Sequence, residues 1–180
     1  MNDIQEFALI FNVLEAELAK DDYKLFAERN IKIVNKQGET VPFRHNNIQQ
    51  EINNTVKRLR AEGKPVRIII LKARQEGVST NEQGRMLWNT ATKKNRTGLI
   101  VAHEQPATAK IFEKARYMYD NLPDDVKPLT RASNARELIF DRPTGYRGKE
   151  EGLNSKISIQ VAGDIGIGRG DTLYYVHLSE

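Results

Sequence analysis

The sequence predicts an α/β domain with a mainly parallel sheet flanked by helices, and two observations carry that reading. From Val66 onward, strand-like runs alternate with helical stretches, the order that builds a parallel sheet covered on both faces. The first two runs, "VRIIIL" and "TGLIVA", are near-continuously apolar and rich in β-branched residues. Strands buried on both faces have that pattern, whereas half-buried strands alternate.

Taken in order, residues 1–30 form a helical segment. Phe7, Ile10, Phe11, Leu14 and Leu18 recur at helical spacing, so they share one face. That face is expected to pack on its own domain, with docking to a partner as the alternative. "IKIVNKQGETVPF" reads as extended chain with a turn at Gln37-Gly38. Asn46 or Asn47 is placed to cap the next helix, Ile48, Ile52, Val56 and Leu59 line one side of it, and Gly63 is placed to end it. "VRIIIL" then suits a central buried strand. A helix over "NEQGRMLWNTATK" leads to "TGLIVA", and Pro106 opens a helix carrying Ile111, Phe112, Ala115, Met118 and Leu122. "RELIF", "SKISIQVA" and "TLYYVHL" complete five candidate strands. The last is preceded by "GDIGIGRGDT", whose four glycines mark a loop. His103, alone after "LIVA", reads as a structural histidine, with a nucleotide or DNA contact as the alternative.

Composition narrows the classes. A chain of 180 residues suits one domain, and 39% hydrophobic with 29% charged residues is a globular balance. No apolar run approaches the roughly 20 residues of a spanning helix, and the amino terminus lacks the pattern of an export signal. The absence of cysteine excludes disulfides and thiolate metal sites, and fits a cytoplasmic protein. A net charge of +4 is compatible with a polyanionic partner.

The chemistry concentrates in "LKARQEGVST", residues 71–80. A strand, a short glycine-containing turn and a helix start together aim backbone N–H groups and the positive end of a helix dipole at an anion. The usual phosphate loop ends in Gly-Lys-Ser/Thr, its lysine on the phosphates and its hydroxyl on Mg²⁺. Here Gly77-Val78-Ser79 keeps the glycine and hydroxyl and loses the lysine. Lys72 or Arg74 on the incoming turn must supply the charge. Arg74 is the preferred donor, because a planar guanidinium bridges two phosphate oxygens.

This stretch resembles the deviant Walker A loop of the large terminase subunits of tailed bacteriophages, the ATP-driven motors that package DNA into procapsids. The family loop runs Arg-Gln-x-Gly-x-Ser/Thr, and many members rely on the upstream basic residue. Arg74, Gln75, Gly77, Ser79 and Thr80 match it position by position. "VPFRHNNIQ" is similar to the family's adenine-recognition segment, with Phe43, Asn46 and Gln49 at the matching positions. A glutamine amide both donates to and accepts from an adenine edge. "GRGDTLYYVHLSE" looks like a Walker B strand and its approach, with Glu180 as the carboxylate that activates water and joins the metal shell. Ser179 stands where an aspartate is common, so the metal must lean on Ser79, the phosphates and waters.

The resemblance implies a P-loop NTPase-like ATPase domain over residues 31–180, with Lys72 and the run Arg74 to Thr80, Glu76 and Val78 included, cradling ATP and Mg²⁺. It implies Arg169 as a cation acting on a neighbouring subunit's site, a solvent-facing loop arginine being the alternative. It implies double-stranded DNA, a portal protein, a small terminase subunit and further copies of the chain as partners, in the host cytoplasm and away from membranes. It also implies more strands and a nuclease domain after Glu180, so the chain is expected to be the amino-terminal, incomplete part of such a subunit. A helicase-like DNA translocase and a nucleotide-insensitive DNA- or protein-binding module are the rival readings.

Overall fold

The computed structural model describes residues 3–164 and 166–179. The elements are α1 (Asp3–Asp21), α2 (Tyr23–Asn30), β1 (Lys32–Val34), β2 (Thr40–Pro42), α3 (Asn47–Ala61), α4 (Val78–Thr92), β3 (Thr97–Ala102), α5 (Gln105–Asp120), β4 (Ala132–Ser133), β5 (Glu137–Phe140), β6 (Ser155–Val161) and β7 (Leu173–Ser179). β1 and β2 make a separate antiparallel hairpin. Its turn is built by Asn35, whose side chain accepts from the N–H groups of Gln37 and Glu39 at 3.0 and 2.9 Å.

The main sheet has five strands in the order β4-β5-β6-β3-β7. β6, β3 and β7 run parallel, and β5 and β4 extend the β6 side antiparallel. The fold is therefore α/β with a mixed sheet and a parallel centre, flanked by helices. β3 is buried along almost its whole length because it has a strand on each side, which explains the unbroken "TGLIVA". Ile100, Leu138, Phe140 and Ile157 of the sheet meet Met86 and Leu87 of α4 and Phe112, Ala115 and Met118 of α5 in one core. Tyr23, Phe26 and Ala27 of α2 belong to the same core, so this helix of the amino-terminal segment folds with the sheet.

Two expectations are corrected. "VRIIIL" is not a strand: residues 64–73 carry no regular structure, and the side chains of Ile69 and Leu71 are fully exposed. β-branched residues specify a strand only where another strand supplies N–H and C=O partners. β7 is an edge strand and no described segment pairs with its outer side. The apolar face of α1 does not pack on the domain either; Phe7, Ile10, Phe11, Leu14 and Leu18 are all exposed. The other signals hold. Asn46 caps α3 and Gly63 follows its end with φ +67°, while Pro106 sits in the first turn of α5. No described helix is long and apolar enough to cross a membrane.

The burial map makes a direct prediction for urea unfolding. Phe112→Ala empties a fully buried site and should cost about 3–5 kcal/mol. Leu71→Ala should change stability by no more than about 0.5 kcal/mol. A comparable loss at both positions would place Leu71 in a core.

Candidate functional site

The loop at 72–77 reverses the chain into α4 through two left-handed residues, Gln75 at φ +66° and Gly77 at φ +72°. Gly77 is the residue before the first helical turn and offers no side chain to cap it. The first N–H groups of a helix have no intrahelical partner, so the start of α4 presents donors and the positive end of its dipole. A backbone that alternates handedness there forms a concave nest of N–H groups suited to an anion. Val78 is buried, so its side chain faces the interior and leaves the loop without the usual cation.

The loop is braced from α3. Asn46 and Gln49 form a capping box, the Asn46 side chain accepting from the Gln49 N–H and the Gln49 side chain accepting from the Asn46 N–H, each at 2.9 Å. Their amide N–H groups then reach across. Gln49 Nε2 donates to the Gly77 carbonyl at 2.8 Å, and Asn46 Nδ2 to the Glu76 carbonyl at 3.2 Å. A Cβ on residue 77 would sit 2.6 Å from Gln49 Nε2, so a side chain here would displace that amide as well as adopt a disfavoured φ. Gln49 is 3% exposed, with both ends of its amide engaged by the loop and cap. Phe43, expected beside a base, is part of the core and packs on His45 with ring centroids 4.7 Å apart. It holds the start of the capping segment from inside.

Several loop groups stand ready for a ligand. Lys72 and Arg74 are exposed and make no ion pair, and the Ser79 hydroxyl makes no hydrogen bond, among the described residues. Thr80 accepts from Lys114 Nζ of α5 at 3.5 Å.

α4 owes its position to polar side chains. Glu82 takes a hydrogen bond from Tyr175 of β7 and one from Asn81 Nδ2 at 2.9 Å, and lies 3.7 Å from Arg85 Nε. Arg85, 3% exposed, donates to Asn53 of α3 and sits over the Tyr23 ring of α2, 4.6 Å from its centroid. Gln83 Nε2 donates to His177 Nδ1 at 2.6 Å. Burial, reinforced by the Glu82 carboxylate, pushes the Tyr175 hydroxyl well above the usual tyrosine range, so it remains a donor. Burial also lowers the His177 pKa, with Lys114 and Lys72 acting in the same direction against Glu82. Arg96, beyond the carboxyl end of α4, lies over the Tyr174 ring near the start of β7, and Gln83 meets His177 near its end. The amino end of α4 and the carboxyl end of β7 therefore lie on the same side of the sheet.

Glu180, the expected water-activating carboxylate, lies outside the described residues. Ser179 ends β7 opposite Ala102, the last residue of β3. Arg169 is exposed in the loop between β6 and β7, where the neighbouring Gly168 N–H donates to Gln160 of β6 at 2.8 Å. No group of three or more His, Asp or Glu side chains able to hold a metal occurs among the described residues. A concavity of about 220 Å³ between α2, α3 and α4, lined by Tyr23, Asn53, Arg85 and Trp88, contains none of the loop residues. Residues not singled out from the sequence therefore shape the site: Asn53, Glu82, Gln83, Arg85, Lys114, Tyr175 and His177. The run "NEQGR", polar residues on a helix beside a buried strand, was the one local signal for part of them.

No family profile and no curated protein matches the chain. Among solved structures, it is similar to the large terminase ATPase domain of Thermus phage P74-26, at 21% identity and a TM-score of 0.48. That match covers 68% of this chain and 56% of the phage chain. At such identity and score, the likeness adds nothing about function to what the loop and its surroundings say for themselves.

Proposed function

We propose that this chain binds ATP on the 72–80 loop and forms the nucleotide-binding part of a DNA-packaging motor of the large-terminase type. The observation that supports this reading best is the start of α4. There Gln75 and Gly77 fold the backbone into an N–H nest, two cations without an ion pair among the described residues stand on the incoming turn, and the side chains of Asn46 and Gln49 hold the loop from α3. The order of the three motifs, with "VPFRHNNIQ" before the loop and "TLYYVHLSE" after it, supports the terminase assignment.

In this reading the N–H groups of Gly77 to Thr80 receive phosphate oxygens, and Arg74 provides the charge that Val78 does not. The donor set fits a hard cation held mostly by phosphate and water: the Ser79 hydroxyl has no other partner, and the described residues offer no carboxylate cluster for a protein cage. Bound Mg²⁺ would neutralise developing phosphate charge. Glu180 would follow β7 to the same side of the sheet as the loop and orient the attacking water. Arg169, exposed in the loop before β7, would act in a neighbouring subunit's site. DNA, portal, small subunit and further copies are the partners such a motor takes in the cytoplasm of a phage host.

Arg74→Ala should weaken ATP binding by about one to two orders of magnitude, the worth of a charge-assisted contact. Lys72→Ala should cost less, with both read by equilibrium titration. A larger loss at Lys72 would reassign the cation, and no ATP binding by the unaltered chain would end this reading.

Gln49 acts through the loop it braces. Gln49→Ala should therefore reduce affinity for ATP and GTP by the same factor in a competition titration. Loss of the preference between the two bases with phosphate affinity intact would instead make Gln49 the base reader.

A further inference from the structure

We infer that Lys114 of α5 is a second phosphate-binding cation of this site, facing the loop from the side opposite in sequence to Arg74; this rests on the nucleotide-loop reading above. The sequence motif contains no sign of it, since Lys114 lies a helix and a strand beyond the loop. The fold brings it back. α5 packs beside α4 in the common core through Phe112 and Ala115, and this sets Lys114 Nζ 3.5 Å from the Thr80 hydroxyl in the first turn of α4.

Lys114 has no carboxylate partner among the described residues, and neither has Lys72. The Lys72 charge acts on Lys114, and both act on His177, where the Glu82 carboxylate opposes them. Partial burial, followed by the Lys72 charge, holds the Lys114 pKa below the usual lysine value. Two like charges beside the positive end of a helix disfavour one another, and a polyanion bound between them relieves that repulsion. The ligand class that fits is a nucleoside polyphosphate, whose terminal phosphates lie at the helix start while the flexible lysine stem swings from Thr80 to a phosphate oxygen.

The test is a titration ladder of AMP, ADP, ATP and inorganic tripolyphosphate on the unaltered chain, Lys114→Gln and Lys114→Arg. For a solvent-accessible contact, Lys114→Gln should weaken ATP and tripolyphosphate about tenfold and leave AMP unchanged. Lys114→Arg should recover most of that loss. Equal weakening of AMP and ATP would show a structural role and overturn the inference. Unchanged ATP affinity in Lys114→Gln, with Arg74→Ala still impaired, would overturn it while leaving the loop reading intact. A loss of duplex-DNA binding without a loss of ATP binding would also overturn it, by giving Lys114 to the DNA backbone. Failure of the unaltered chain to bind ATP or tripolyphosphate would remove both readings together.

Discussion

The buried ion pair of Glu82 and Arg85 is the constraint on which the rest of the site depends. A carboxylate and a guanidinium taken out of water are tolerated only when paired and hydrogen-bonded, and breaking such a pair leaves a buried charge without compensation. These two side chains engage three other elements, Tyr175 of β7, Asn53 of α3 and Tyr23 of α2, while Arg85 Nε faces Glu82 at 3.7 Å without a hydrogen bond among the described residues. α4 is thereby fixed in rotation and depth against both the sheet and the neighbouring helices. Apolar packing of Met86 and Leu87 supplies burial, whereas the polar contacts allow one orientation.

A helix fixed in this way presents its amino end in one place. The loop inherits that placement through two further constraints, the missing Cβ of Gly77 and the amides of Asn46 and Gln49 on the carbonyls before α4. The backbone is thus arranged before any ligand arrives, and the cost of ordering it is not charged to binding. The cations are the opposite case. Lys72, Arg74 and Lys114 are long side chains with no carboxylate partner among the described residues, and Lys114 reaches only the Thr80 hydroxyl, which leaves their charged ends adaptable. Rigid donors with mobile charges account for a loop that departs from the usual lysine pattern without losing its shape.

Much of the fold was legible in the sequence because its signals were local. "TGLIVA", "RELIF", "SKISIQVA" and "TLYYVHL" become strands, Asn46 caps its helix, and Pro106 stands in the first turn of α5. The misses share a physical cause, dependence on a distant partner. "VRIIIL" has strand composition but no neighbouring strand, and the apolar face of α1 has no covering surface among the described residues. Phe43 matched a motif position, yet its burial is decided by His45 and the core around it. Within the candidate site, the turn at Gln75 and Gly77 and the helix start after it were readable because turn chemistry is local. Lys114 reaches the start of α4 through helix packing, and Tyr175 and His177 reach α4 from β7, so no spacing rule would have found them.

Amide hydrogen exchange, followed across the chain with and without ATP, tests most directly whether the start of α4 is a phosphate site. The N–H groups of residues 77–80 should slow on adding ATP or tripolyphosphate and remain unchanged with adenosine, because the phosphates are what they bind. Protection appearing only around Tyr23, Asn53 and Trp88 between α2, α3 and α4, with residues 77–80 unaffected by any phosphate, would contradict it.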